Sequence, residues 1–353
     1  MPDRIYLDHA ATTPLRPEAR AAMEEGFAIW ANPSSPHAEG RKAKNALEDA
    51  RDRVKKSLGW DGEVIFTSGA SEAAALAIAH AKVDRRAVSA VEHDAVFLDG
   101  EGSFDSVMPV GENGRVSRGE IYEALAVTGT SPNDGRPTTL LCQQHVNSET
   151  GACFNVSGMH RVLGNFHGCL MLSDCSQSAG KLELPSTDMA IVSAHKLGGP
   201  IGIGALLVRD YALLNPTGGH ERGYRRGTEN LPGAMGFAAA LDAGGWLTTA
   251  EQREAFFASL GDARLSFAGQ VDYIGAVAHP TISAQALLIK LDAMGIAVSA
   301  GSACSSGTLK KSRVLDAFGI DDKTAKRTIR VSIGWNTTQQ DLERFSEAWV
   351  GLT

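Results

Sequence analysis

Long apolar runs are missing from this sequence. The longest stretch of apolar and glycine residues, "GPIGIGALLV", falls far short of the ~20 residues that a membrane-spanning helix needs. Long basic runs are missing too, and the net charge is −7, which argues against nucleic acid as a main partner. No CxxC pair occurs. The five cysteines, Cys142, Cys153, Cys169, Cys175 and Cys304, are odd in number and irregularly spaced, so neither a metal-binding ribbon nor a disulfide framework is expected. A reducing cytoplasm is the expected compartment. The opening "MPDRIYLDHAATTPL" has no basic region followed by an apolar one, so no signal peptide is expected. There is no internal repeat and no low-complexity tract.

What is present is ordinary for a soluble globular protein: 43% hydrophobic and 21% charged residues in a chain of 353. That length predicts two domains, or one large α/β domain with an appendage. "RPEARAAMEEGFAIW" reads as a helix with proline near its start, and "HAEGRKAKNALEDARDRVKKSLG" as a long amphipathic helix closed by Gly59. Six apolar runs follow: "EVIFTSG", "RAVSAVEH", "TTLLCQQHV", "CLMLSDCS", "MAIVSAHK" and "GALLVRD". Their apolar continuity predicts strands buried on both faces, and the helices between them predict a mostly parallel, doubly wound sheet. Beyond "ERGYRRGTENLPGAMGFAAALDAGGW" helical patterns dominate: "AEQREAFFASLGDARLSF", "SAQALLIKLDAMG", "GTLKKSRVLDAFG" and "TTQQDLERFSEAWVGL", with one strand, "RTIRVSIGW". A domain boundary is expected near residue 240.

Three constellations carry chemistry. In "EVIFTSGASEAAALAIAHA" a strand ends in Thr67-Ser68-Gly69 and a helix begins at Ala70-Ser71. Backbone N–H groups and hydroxyls at a helix start form an anion site, although an ordinary N-cap explains the same residues. No GK[ST] follows, so this is not a Walker loop. In "MAIVSAHKLGGPIGIGALLVRD" Lys196 ends an apolar strand beside Ser193 and His195. Such an amine can bond a carbonyl cofactor, while a solvated lysine at a strand exit is the plain alternative. Asp174 ends another strand in "LMLSDCSQSAGK", and His93 ends "AVSAVEH". Pyridoxal phosphate needs a lysine, a carboxylate for its ring nitrogen, a phosphate site and a group packed on its ring. Lys196, Asp174, "TSGAS" and His93 match those needs. Each stands at the C-terminal end of a predicted strand, where open parallel sheets bind ligands.

The fourth feature is "VSAGSACSSGTLKK", in which Cys304 stands among serines and glycines. A packing cysteine sits among apolar side chains, so Cys304 is placed to be reached. An idle loop thiol is disfavoured, because exposed reactive thiols are oxidation hazards. The other four cysteines lie in or beside apolar strands and read as packing residues, with Cys175, next to Asp174, the one to watch.

The motifs "YLDHAATTP", "NPSSPH", "FTSGASE", "EHDAV", "HVNSETG", "DCSQSAGK", "SAHKLGGPIGIGAL", "ERGYRRGTEN" and "GSACSSG" resemble, in order and spacing, the cysteine desulfurases of the NifS/IscS type. The resemblance runs from Tyr6 to the end of the chain. It implies a homodimeric pyridoxal 5′-phosphate enzyme of the class V aminotransferase group with the fold-type I architecture: a large domain with a mostly parallel seven-stranded sheet and a smaller α+β C-terminal domain. Residues 1–15 would be an N-terminal segment packing with the small domain, 16–240 the large domain, and 241–353 the small domain carrying the Cys304 loop. The implied reaction converts L-cysteine to L-alanine and leaves a persulfide on Cys304. The sulfur would pass to a protein acceptor such as an iron–sulfur scaffold, or to tRNA thiolation. By similarity Lys196 bonds the cofactor, Asp174 pairs with its ring nitrogen, Gln177 faces its ring oxygen and His93 stacks on the ring. Ala70, Ser71, Ser193 and His195 bind the phosphate, Thr228 reaches the phosphate in the neighbouring subunit, and Arg330 clamps the substrate carboxylate.

Three positions depart from the pattern. Asn147-Ser148-Glu149 stands where the family often reads NNE, which alters the substrate-side contacts expected of Asn147 and Ser148. Ala73-Ala74-Ala75 replaces polar residues, and Trp335 replaces an arginine. A selenocysteine lyase or an aminotransferase shares the same fold; the Cys304 loop argues against the aminotransferase, which needs no nucleophilic thiol. A non-catalytic partner protein is disfavoured by the presence of Lys196, Asp174, His93 and Cys304 together.

Overall fold

Alternate residues of the apolar runs face different cores. Met189 and Ile191 join one buried cluster while Ala190 and Val192 join another, and Leu206 and Val208 divide from Ala205 and Leu207 in the same way. A strand covered on both sides needs no polar face, which is why these runs are continuously apolar. The computed structural model describes residues 4–97, 104–111, 116–125, 138–166, 168–300 and 312–352. Cys304 lies outside the described residues.

Among the described residues the strands are β1 (Ile5–Tyr6), β2 (Glu63–Thr67), β3 (Arg85–Ser89), β4 (Ser106–Met108), β5 (Thr139–Cys142), β6 (Leu170–Asp174), β7 (Met189–Ser193), β8 (Gly204–Val208), β9 (Ile274–Ala278), β10 (Ile296–Ala297) and β11 (Thr328–Ser332). Seven form the main sheet in the order β2-β8-β7-β6-β5-β3-β4. Only β8 runs against its neighbours there. The sheet is thus mostly parallel, as the alternating pattern predicts, and β2, β3, β5, β6 and β7 all end on one edge.

Helices cover both faces. Pro17–Ile29, with proline in its first turn, and Ala38–Leu58 pack with Leu231–Ala243 on one side. The long helix starts where the His37 side chain accepts from the Gly40 N–H and stops at Gly59, whose φ of 61° is left-handed. Ala70–His80 packs on the other side. Its Ala73 and Ala74 are fully buried, so small side chains there bring the helix close to the sheet; Ala75 faces outward.

A second layer holds the chain ends together. β1 pairs in parallel with β10, and β9 pairs antiparallel with β11. Ile5 and Leu7 share a buried cluster with Phe257, Leu287, Ile329 and Phe345. One strand was expected beyond residue 240; β9 and the two-residue β10 are additions there. In β9, Gly275 is required because a Cβ there would lie 2.3 Å from the Phe257 ring, and that glycine interrupts the apolar pattern that marks a strand. The helix Arg313–Ala317 returns to the main sheet, where Val314 and Phe318 pack with Val91, Met108, Leu141 and Met171. Among the described residues no helix is long and apolar enough to cross a membrane.

Candidate active site

The shared strand edge opens on a cavity of about 440 Å³ walled by Ser71, His93, Asp174, Gln177, Ser193, His195 and Lys196, among others. Lys196 follows β7 in a single 3-10 turn, Ala194–Lys196. The turn folds back tightly: a Cβ at Gly199 would meet the Ala194 carbonyl at 2.9 Å. The Lys196 amine donates to the carbonyls of Ala10 (2.6 Å) and Ala11 (2.7 Å), so the N-terminal segment holds it. Burial, then the Arg330 guanidinium, push its pKa down to about 8 against the pull of Asp174 and Asp8.

Asp174 ends β6 and accepts from the Ser176 N–H at 2.8 Å. Gln177 donates to the Ala10 carbonyl at 2.9 Å, while its Oε1 is buried without a partner among the described residues, as is the Ser176 hydroxyl. Orphaned polar atoms in a cavity wall mark a place for polar ligand atoms. His93 follows β3 at the start of a short helix, and its Nδ1 accepts from the Ala95 N–H at 3.1 Å. The ring is reached by solvent through the cavity, yet desolvation by its surroundings lowers its pKa, outweighing the carboxylate of Asp174. Beneath it, Glu92 is almost wholly buried. Burial, then the nearby Asp174, push its pKa up to about 8, and its carboxyl accepts from the Gln144 N–H.

At the other end of the cavity the helix Ala70–His80 presents its first turn. Ser71 and Ala70 line the wall there, facing Ser193 and His195. The His195 Nδ1 bonds to the Thr12 hydroxyl at 2.9 Å. Burial, then Lys196 and Lys181, lower its pKa to about 4, so at neutral pH it is an uncharged imidazole. The start of β8 abuts this cradle: a Cβ at Gly204 would come within 2.9 Å of the Gly69 Cα. A reactive amine, a carboxylate, an imidazole face and a hydroxyl-rich helix start thus surround one space. That donor set fits an aromatic aldehyde with a ring nitrogen and a phosphate, as the resemblance implies.

Arg330, Asn147 and Thr228 stand outside the cavity wall. Arg330, on β11, is buried; its Nη2 pairs with Asp8 (2.8 Å), its Nη1 donates to the Ser148 carbonyl (3.1 Å), and its Nε has no partner among the described residues. Ser148 itself lines the cavity. Asn147 is spent on the turn: its side-chain oxygen accepts from Glu149 N, Thr150 N and the Thr150 hydroxyl. Thr228 is exposed on a loop away from the cavity of its own chain. Trp335 donates to the Pro14 carbonyl at 3.0 Å, with the Arg16 guanidinium over its ring at 4.9 Å. Cys175 is wholly buried, and burial first among several causes pushes its thiol up to about 12; it is a packing residue.

The family model for aminotransferase class-V matches residues 5–345. The chain belongs to the class-V aminotransferase family. This class-V chain is 33% identical to a protein of Bacillus subtilis called a putative cysteine desulfurase IscS 1, covering 97% of this chain and 96% of the relative. It is 34% identical to an IscS-like cysteine desulfurase of Mycobacterium tuberculosis, covering 98% and 95%. Among solved structures, a NifS-like protein superposes with a TM-score of 0.85 at 27% identity over 99% of both chains. A structure of SspA in complex with cysteine gives 0.78 at 28% identity, over 95% of this chain and all of that one. The sequence reading of this class-V chain missed Asp8, Thr12, Glu92, Gln144 and Arg313. The motifs "YLDHAATTP" and "EHDAV" contain the first three but carry no sign of which side chain they meet.

Proposed function

We propose that the protein is a pyridoxal 5′-phosphate-dependent cysteine desulfurase. The observation that carries the reading is the meeting of Lys196, Asp174, His93 and the Ser71, Ser193 and His195 group around one cavity, in a chain about one-third identical to proteins called cysteine desulfurases. When bound, the cofactor supplies an electrophilic carbon for the substrate amine and an electron sink for the bond broken at Cα. Lys196 would hold the cofactor, and its Nζ would take the Cα proton; the free amine, with a pKa near 8, suits a proton acceptor near neutrality. Asp174 would hold the ring nitrogen protonated, and Gln177 would face the ring oxygen. His93 would pack on the ring and, uncharged, would accept the proton of the substrate thiol. Ser71, Ser193, His195 and the N–H groups at Ala70 and Ser71 receive the phosphate. Arg330 binds the substrate carboxylate, with Ser148 beside it.

Cys304 takes the sulfur. Its thiolate attacks the substrate sulfur, the carbon–sulfur bond breaks, and a sulfur–sulfur bond forms. L-cysteine and the Cys304 thiol become L-alanine and a Cys304 persulfide, with no external oxidant. The protein is a cytoplasmic homodimer in this reading, with Thr228 reaching the phosphate of the neighbouring subunit. A protein acceptor, such as an iron–sulfur scaffold, or a tRNA thiolation route takes up the sulfur. Residues 16–240 form the large domain, and 241–353 with 1–15 the small one.

The test is to incubate the cofactor-loaded protein with L-cysteine and a thiol reductant. Alanine and sulfide should appear together, and without reductant the peptide containing Cys304 should gain the mass of one sulfur. Release of pyruvate in place of alanine, or an unmodified Cys304 during turnover, overturns the reading.

A further inference from the structure

Arg313 begins the helix Arg313–Ala317, and its guanidinium reaches across to the turn that carries His93. Its Nη1 donates to the Ala90 carbonyl, and its Nη2 donates to the Glu92 carbonyl (2.6 Å) and the Asp94 carboxylate (3.0 Å). The guanidinium carbon lies 3.9 Å from the centroid of the Phe97 ring. These acceptors flank His93 on both sides in sequence. The inner side of the same turn is held separately: the Gln144 side chain donates to the Val91 carbonyl, and Asn147 does so at 3.1 Å. The base of Arg313 is firm, because Val314 and Phe318 are buried in the core of the main sheet. One residue earlier, the Ser312 hydroxyl donates to Glu149 at 2.6 Å. Glu149 adjoins Ser148, whose carbonyl holds Arg330. Two consecutive residues therefore tie together the two turns at the cavity rim.

We propose that Arg313 is a positioning residue for His93: by gripping the Ala90 and Glu92 carbonyls and the Asp94 carboxylate, it fixes the turn from which the imidazole meets the cofactor ring. The proposal rests on the reading of His93 as the ring partner. A planar fork suits three acceptors spread over this turn, whereas an ammonium is a single point charge on a flexible stem. The Asp94 side of the ion pair is mostly open to solvent, so the pair contributes little on its own; the carbonyl bonds do the positioning.

The experiment compares full-length, cofactor-loaded wild type with Arg313→Gln and Arg313→Lys. The readouts are visible circular dichroism of the bound cofactor, which reports the asymmetry of its surroundings, and the separate kcat and KM for L-cysteine. In Arg313→Gln, kcat should fall at least about tenfold while KM stays within about twofold, since a small misplacement of an active-site group acts on the rate. The dichroic band should change in amplitude, and Arg313→Lys should lie between the two. A wild-type band and wild-type kcat in Arg313→Gln overturn the proposal, as do parallel losses in cofactor binding, KM and thermal stability, which mark a merely structural role. If Arg313→Gln does not fold, Arg313→Lys decides: a folded variant with wild-type band and kcat overturns it, and an altered band with lowered kcat supports it. Should wild type release no alanine from L-cysteine, the functional reading fails by itself, and the dichroic comparison still decides for or against Arg313.

Discussion

At Lys196 the amine is drawn two ways. Burial and Arg330 favour its neutral form, and Asp174 and Asp8 favour the charged one; burial wins and the pKa falls to about 8. The neutral amine is the form that bonds an aldehyde. About a tenth of it is neutral at pH 7, against under a thousandth for an ordinary lysine. Covalent capture of pyridoxal phosphate by the unloaded protein, trapped with borohydride and read by mass spectrometry, should therefore rise about tenfold between pH 7 and 9 and then level off. A midpoint above pH 10 would contradict the lowered pKa, and Lys196→Ala should capture none. Arg330 poses the opposite problem, since a carboxylate, Asp8, already holds one of its nitrogens. Its unpartnered Nε leaves a donor for the substrate. Arg330→Ala should raise KM for L-cysteine by the loss of one or two charge-assisted bonds, about 1.5–3 kcal/mol each, with the cofactor dissociation constant little changed. Equal loss of both would assign Arg330 a structural role. Lys196 and Asp174 were legible in the sequence because strand ends are. Asp8 was not, because its meaning is a contact with a residue at the other end of the chain.

Among elements, the six continuously apolar strands were legible because burial on both faces leaves no alternation to misread. β4 is a short strand at the sheet edge, and β9 carries a glycine placed by a phenylalanine ring; neither bears a pattern of its own. The opposite edge shows how side chains finish a sheet. On the outer side of β2 the Val64 carbonyl accepts from Arg51 (2.6 Å) and the Phe66 N–H donates to Glu221 (2.9 Å). Arg51 and Glu221 also pair with each other through two bonds, of 2.7 and 3.2 Å. Both are buried, so the open edge is closed to other strands. Glu221 and Arg222 adopt left-handed φ angles of 47° and 56°, a backbone cost that the ion pair offsets. Glu221→Ala leaves the buried Arg51 guanidinium with only the partly exposed Glu48 carboxylate, 3.4 Å from its Nε, for a counter-charge. It should destabilise the protein by about 3–5 kcal/mol in chemical denaturation, and a loss below about 1 kcal/mol would show that the pair is dispensable.

For the whole molecule, the chain's path matters more than any single domain boundary. It leaves the main sheet after Leu231–Ala243, builds the second layer, and comes back at Arg313. Cys304 lies between two fixed points of the described chain: Ser299, bridged to the backbone of Arg330, and Ser312, bonded to Glu149. In the proposed reaction Cys304→Ser should load cofactor normally, yet form no persulfide and turn over no L-cysteine, because the thiolate is the nucleophile in sulfur exchange. Cys175, buried and with its thiol pushed up to about 12, offers no substitute; sulfur found on its peptide in the variant would refute that role for Cys304. The pairing of β1 with β10 has a consequence for synthesis. Ile5 lies opposite Ile296, so β1 must wait on the ribosome for a strand made about 290 residues later. At about 5–20 residues per second that is roughly 15–60 s. Late in that time Ala10 and Ala11 have the anchors on Gln177 and His195 but lack the one that β1 gives them. A nascent chain can complete its main sheet long before β10 exists, so the last clamp on the segment that holds the Lys196 amine closes only after Ile296 has been made.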